Sequence, residues 1–117
     1  MYEYNAKVLG VYDGDTCTLL IDLGYNVYIK EKVRLQGIDT PEIRTTNKKE
    51  KELGYKARDR LRELILDKDI TIVSLKEGKY GRYLADIYTK DGMYVNECLI
   101  EEGLARPYLG GKREPWF

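Results

Sequence analysis

The chain has 117 residues, with 20 Lys+Arg against 20 Asp+Glu, no histidine and two cysteines. The length suits one domain spanning residues 1–117, and zero formal charge argues against a protein that coats nucleic acid through bulk charge. Without histidine, His-based triads and most transition-metal sites are excluded, which leaves catalysis to carboxylates, Arg, Lys, Tyr or a hard metal ion.

Cys17 and Cys98 are too few for a disulfide framework or a structural zinc site, and each lies in an apolar stretch, so both read as buried free thiols. The opening Met1-Tyr2-Glu3-Tyr4 is not a signal peptide and no apolar run reaches membrane length. A cytoplasmic location is favoured on these grounds, with a processed secreted form left open and no membrane partner expected.

Ala6 to Tyr12 and Thr16 to Leu23 are β-branched and apolar, with the turn Asp13-Gly14-Asp15 between them. A second turn at Gly24-Tyr25-Asn26 leads into Val27 to Leu35, so three strands in a meander are expected. Gly37 to Asn47 reads as loop. From Lys49 to Leu66, Ala57, Leu61, Leu64 and Ile65 share one face of an amphipathic helix whose other face is charged. Ile70 to Leu75 and Arg82 to Thr89 read as strands around Glu77-Gly78-Lys79. Asp91-Gly92 then turns the chain into a short helix bearing Val95, Leu99 and Ile100, stopped by Gly103. The tail from Pro107 to Phe117 reads as extended and pinned by its aromatics. Five strands with a helix after the third predict an α+β fold built on a five-stranded OB-type Greek-key barrel with two helices.

Four clusters can carry chemistry, and each has a plain alternative. Asp13-Gly14-Asp15-Thr16 is either a hairpin turn or the start of a hard-cation site, since Ca²⁺ prefers oxygen ligands. Asp39-Thr40-Pro41-Glu42 has the form of a helix start, but the helical period begins only near Leu53, too late for Thr40 to cap it. Arg34 sits near the end of the third strand, where a surface role or a nearby acid is the ordinary reading. Lys79-Tyr80-Gly81-Arg82-Tyr83 is either a basic turn or a phosphate contact, and Tyr80 and Tyr108 either stack on bases or pack on the barrel. Together these clusters supply what phosphodiester hydrolysis needs: carboxylates for a cation, a Glu to orient water, and guanidiniums for the phosphate.

VYDGDT (Val11 to Thr16), VRLQGIDTPE (Val33 to Glu42), the Gly54-containing helix, KYGRYLADIY (Lys79 to Tyr88) and DGMYVNECLIEEGLA (Asp91 to Ala105) resemble the staphylococcal nuclease-like family in order and spacing. The resemblance implies that Asp15 and Asp39 ligate Ca²⁺ through carboxylates, Thr40 through its backbone carbonyl, and that Asp13 lies beside the ion. It implies Glu42 as general base, Arg34 and Arg82 on the scissile phosphate, and Lys79 and Tyr80 on a terminal phosphate. The implied activity is calcium-dependent endonuclease cleavage of DNA and RNA with little sequence preference, leaving 3′-phosphate ends, by a monomer. The chain departs from the family at Gly78, where an acidic residue is usual, in a slightly longer hairpin between the second and third strands, and in offering no segment for the family's third, C-terminal helix. The competing reading is a non-catalytic OB-fold module that binds nucleic acid or protein. The joint presence of Asp15, Asp39, Glu42, Arg34 and Arg82 favours the enzyme.

Overall fold

The structure, a computed structural model, describes residues 3–77, 82–108, 110–111 and 114–116, with the side chains of 74–77 left out. The expected Lys79 and Tyr80 contacts lie outside the described residues. In chain order the elements are β1 (Glu3–Asp13), β2 (Thr16–Asp22), β3 (Tyr28–Leu35), β4 (Ile38–Asp39), α1 (Lys48–Ile65), β5 (Asp69–Glu77), β6 (Tyr83–Thr89), α2 (Val95–Glu101) and β7 (Arg106–Pro107).

The expected OB-type barrel with two helices is present: β1, β2, β3, β6 and β5 close in that order, and β4 pairs with β7 as a separate two-stranded ladder. Closure comes from the parallel pairing of β3 with β6, from Val33↔Tyr83 to Leu35↔Ala85. It also needs β1 to serve two neighbours, β2 along its later part and β5 from Glu3 to Lys7. The register shifts twice along β1, between Val8 and Gly10 and between Val11 and Asp13. Such bulges bend a strand and sharpen its twist, which lets one strand turn the corner of a small barrel.

The interior is filled by Val8, Val11, Cys17, Leu19, Ile21, Val33, Leu35, Ile70, Ile72, Ala85 and Ile87, all at or below 2% exposure. Alternation along each strand sends these inward. Helix α1 caps the barrel with Ala57, Leu61, Leu64 and Ile65, the face read from its periodicity. It starts at Asn47, whose side chain accepts from the Glu50 amide at 3.1 Å. Helix α2 ends as Gly103 predicts: Gly103 takes a positive φ of 75°, its amide donates to the Ile100 carbonyl and that of Leu104 to the Leu99 carbonyl, each at 3.0 Å. Buried Asn96 ties α2 to the barrel, accepting from the Ile87 amide at 3.0 Å and donating to the Gln36 and Ala85 carbonyls at 2.8 and 3.2 Å.

Three expectations need correction. Strand β1 begins at Glu3 rather than Ala6, because the polar residues Glu3 and Asn5 occupy outward positions of a strand pairing with β5. The Gly37–Asn47 stretch contains β4, a ladder made by a partner far along the chain. Cys17 is buried, but Cys98 is only half-buried, on the side of α2 where its thiol contacts Glu102 Oε2 at 3.2 Å. Burial pushes the Cys17 thiol up to about 12, which makes it unreactive.

Gly54 fixes how α1 meets the loop bearing Glu42. A Cβ there would stand 2.9 Å from the carbonyl oxygens of both Pro41 and Glu42. Gly54→Ala should therefore lower stability by about 1–3 kcal/mol, as overpacking does. A thermal melt unchanged from the original chain would show that this approach is not close in solution.

Candidate active site

The site is assembled where the β1–β2 turn, the end of β3 and the segment after β4 meet α1. The Asp13-Gly14-Asp15 turn can dock there because Gly14 has no side chain. A Cβ would lie 2.6 Å from the Ala57 Cβ and 3.0 Å from Thr40 Cγ2. Docked in this way, Asp15 and Asp39 are buried, at 9% and 2% exposure.

Asp15 Oδ1 accepts from the Thr16 hydroxyl at 3.1 Å, and Oδ2 accepts from the Thr40 amide at 3.3 Å. Arg34 reaches between the acids, its Nη2 standing 3.6 Å from Asp15 Oδ2 and 3.6 Å from Asp39 Oδ1. One guanidinium nitrogen thus serves two carboxylates, at distances longer than a direct hydrogen bond. Removal from water pushes the Asp15 carboxyl up, and the Arg34 charge together with the Thr40 and Thr16 hydrogen bonds only partly opposes this.

On its other side Asp39 meets a contact the sequence did not disclose. Arg106 Nη2 lies 3.2 Å from Asp39 Oδ2, and the Trp116 indole N–H donates to the same oxygen at 3.3 Å. The Arg106 guanidinium stacks over the Trp116 ring at 4.3 Å and donates to the carbonyls of Glu114 and Pro115. Pinning of the tail by an aromatic was expected, but its target was not. The only sequence signal was a Trp and an Arg near the C-terminus, and the β4–β7 pairing of Asp39 with Arg106 is what brings them in.

These groups open onto a cleft of about 740 Å³ whose lining includes Asp13, Glu42, Arg82 and Tyr108 besides Asp15, Asp39 and Arg34. Of the candidates named from sequence, Asp15, Asp39, Thr40 and Arg34 therefore come into direct contact, while Glu42 and Arg82 share the same cleft. Glu42 is exposed, with its amide donating to Glu50 Oε2 at 2.9 Å. Tyr108 lies under Arg34, its ring centroid 5.3 Å from the guanidinium carbon. Four carboxylates and six cations line the cleft, the further cations being Lys32, Arg44, Arg58 and Arg62. Arg62 is already committed, donating to the Val11 carbonyl at 3.1 Å from Nη2.

Among the described residues no group of three or more His, Cys, Asp or Glu side chains is gathered for a metal. The donor set at Asp15 and Asp39 is instead two buried carboxylates with backbone oxygen nearby. That fits a hard cation which keeps much of its coordination for water and substrate, and burial that disfavours the ionised Asp15 is the condition under which an added cation would relieve it.

A small OB-type barrel with carboxylates and guanidiniums in one cleft at the mouth of its first hairpin offers groups suited to phosphodiester chemistry. The family model described as staphylococcal nuclease homologue matches residues 32–114, and the chain belongs to that family of nucleases. It is similar to an uncharacterized endonuclease of Escherichia coli, 31% identical over 113 residues that cover 97% of this chain and 67% of the relative. It is also similar to endonuclease YncB of Bacillus subtilis, 38% identical over 105 residues, 87% of this chain and 47% of that one. Staphylococcal-like nuclease CAN1 of Arabidopsis thaliana is 35% identical over 80 residues, 68% of this chain and 23% of the relative. The chain thus spans about two thirds of the Escherichia coli relative and less than half of the other two. Among the described residues no helix is long and apolar enough to cross a membrane.

Two outcomes follow for the metal-free protein. Because the Asp15 pKa is raised above 3.8 in the fold, its contribution to stability is full below that value and is lost as pH rises through the raised one. Asp15→Asn should therefore melt higher than the original chain at neutral pH, with the gap closing in acid; a lower melt at neutral pH would contradict the burial argument. Arg106→Ala should destabilise by about 1–3 kcal/mol, less than the loss for a fully buried pair because Arg34 remains near Asp39 and Arg106 is partly solvated. Denaturant unfolding checks it, and a change below about 0.5 kcal/mol would mean that the contact is incidental.

Proposed function

We propose that the chain is a calcium-dependent phosphodiesterase that cuts DNA and RNA with little regard to sequence and leaves 3′-phosphate ends. The observation that carries this reading is that Asp15, Asp39 and Arg34 are in contact and open onto the same cleft as Glu42 and Arg82. A module that only binds has no use for buried acids beside an exposed Glu and two guanidiniums.

Asp15 and Asp39, with the Thr40 carbonyl, would hold Ca²⁺, which when bound supplies positive charge to the phosphate oxygens. Glu42 orients a water and takes its proton as the oxygen attacks phosphorus. Arg34 and Arg82 donate to the phosphate oxygens, where negative charge grows in the transition state. The bond from phosphorus to the 5′-oxygen then breaks. The phosphate stays on the 3′ side, and the 5′-oxygen leaves as an alcohol after taking a proton from solvent. Arg34 is already directed by its two acids, so it has little freedom to lose on meeting substrate. Lys79 and Tyr80 would bind a terminal phosphate; this assignment rests on the family resemblance alone.

The test is cleavage of plasmid DNA and of RNA with Ca²⁺, with Mg²⁺ and with excess chelator. Activity with Ca²⁺, poor activity with Mg²⁺ and none in chelator is expected; the need for a hard cation follows from the two buried carboxylates, and the preference for Ca²⁺ over Mg²⁺ rests on the family resemblance alone. Full cleavage in chelator would sink the metal-dependent reading. Arg82→Lys keeps the charge but loses the planar fork, so kcat should fall about 10²–10³-fold with the melt unchanged. Turnover within a few-fold of the original chain would remove Arg82 from the reaction.

A further inference from the structure

The cleft holds a second built feature, on the barrel wall beside Asp13. Tyr12 is 53% exposed, an ordinary state for a surface tyrosine, but here the ring is fixed. The register of β1 against β2 passes from Val11↔Cys17 to Asp13↔Thr16, so Tyr12 is the extra residue of a bulge. A bulge re-aims the side chain it carries, and bulges recur beside active sites.

The seat of the ring is a row of three residues on adjacent strands, Gly10 on β1, Thr18 on β2 and Lys32 on β3, paired as Gly10↔Thr18 and Thr18↔Lys32. Each does something different for Tyr12. Gly10 leaves room, since a Cβ there would stand 3.2 Å from the phenol oxygen and 3.3 Å from Cζ. Thr18, itself 8% exposed, directs its hydroxyl to the phenol oxygen at 3.4 Å. Lys32 stands with its ammonium 5.3 Å from the ring centroid. Tyr12 and Lys32 both line the cleft that contains Asp15, Asp39, Arg34, Glu42 and Arg82. The proposed reaction leaves this pair unassigned.

An exposed aromatic ring with a cation beside it, on the rim of a basic groove, is the arrangement that binds a nucleotide without reading its identity: the base stacks on the ring and the phosphate meets the cation. At about 740 Å³ the cleft is larger than the reacting phosphate alone requires. We propose that Tyr12 and Lys32 form a nucleotide subsite flanking the scissile phosphate, with Tyr12 stacking an unpaired base and Lys32 meeting the neighbouring phosphate. This rests on the phosphodiesterase reading for the place of the scissile phosphate, and on the Tyr12 seat for the rest.

Two octamers separate the parts: oligothymidylate, and an abasic octamer with the same phosphates and no bases. Tyr12→Ala should lower kcat/KM on oligothymidylate about 5–150-fold, the range for one lost stack, mainly through KM, and leave the abasic octamer unchanged. Tyr12→Phe should retain activity on both. Lys32→Gln should weaken both octamers alike. Gly10→Ala, which crowds the ring without removing it, should give part of the Tyr12→Ala loss on oligothymidylate only. Melting curves exclude misfolding as the cause. Anisotropy of the fluorescein-labelled octamers in chelator repeats the comparison without turnover, and there Tyr12→Ala should again weaken only oligothymidylate. If Tyr12→Ala stays within two-fold of the original chain on oligothymidylate, or loses equally on the abasic octamer, the subsite is wrong. If the original chain binds oligothymidylate but never cuts it with Ca²⁺, the phosphodiesterase reading fails, and the binding comparison still decides the subsite.

Discussion

Asp15 and Asp39 are both buried against one guanidinium, and much of the local structure is arranged to hold these carboxylates out of water. Asp15 and Asp39 share Arg34, each at 3.6 Å, and Asp39 has Arg106 and Trp116 on its far oxygen. The hydrogen bonds of Thr16 and Thr40 to Asp15 work in the same direction. Burial still prevails at Asp15, whose carboxyl remains pushed up. On the proposed reading this condition favours a cation, which would meet acids whose desolvation has already occurred in folding.

The scaffold makes that burial possible through close backbone approaches. Gly14 lets the first turn lie against Ala57 and Thr40, and Gly54 lets α1 lie against the carbonyls of Pro41 and Glu42. Both contacts involve α1, so the helix that caps the barrel also sets the distance between the two acidic segments. The parallel β3–β6 pairing brings the end of β3, with Arg34, beside the start of β6, next to Arg82. The hydrophobic interior and the polar cleft are therefore consequences of the same strand order.

Much of this was legible in sequence. The strands and α1 follow from alternation and from a 3.6-residue period, and Gly103 marks a helix end by local chemistry that needs no partner, whereas Asn47 reads as loop in the sequence and caps α1 in the fold. Asp15, Asp39 and Arg34 stand out in the sequence because each lies in a short motif of recognisable order, and the fold brings the three together. What escaped was long-range or irregular. The β4–β7 ladder has only two residues on each side, too short for any periodic signal, and the Arg106–Asp39 contact spans 67 residues of chain. Tyr12 gave no signal because a bulge depends on the register between two strands, which one strand's sequence does not reveal. The half-exposure of Cys98 shows the limit of composition: an apolar neighbourhood in sequence placed it inside, while the helix turned it toward Glu102.

On the proposed reading, Asp15 and Asp39 together form a cation site within a phosphate-binding cleft. Calorimetric titration of Ca²⁺ into the metal-free protein tests it most directly, for the original chain and for Asp15→Asn and Asp39→Asn. One site is expected in the original chain, with at least ten-fold weaker binding in each variant and tighter binding when a nucleotide with a terminal phosphate is present. Equal Ca²⁺ affinity in all three proteins would contradict it.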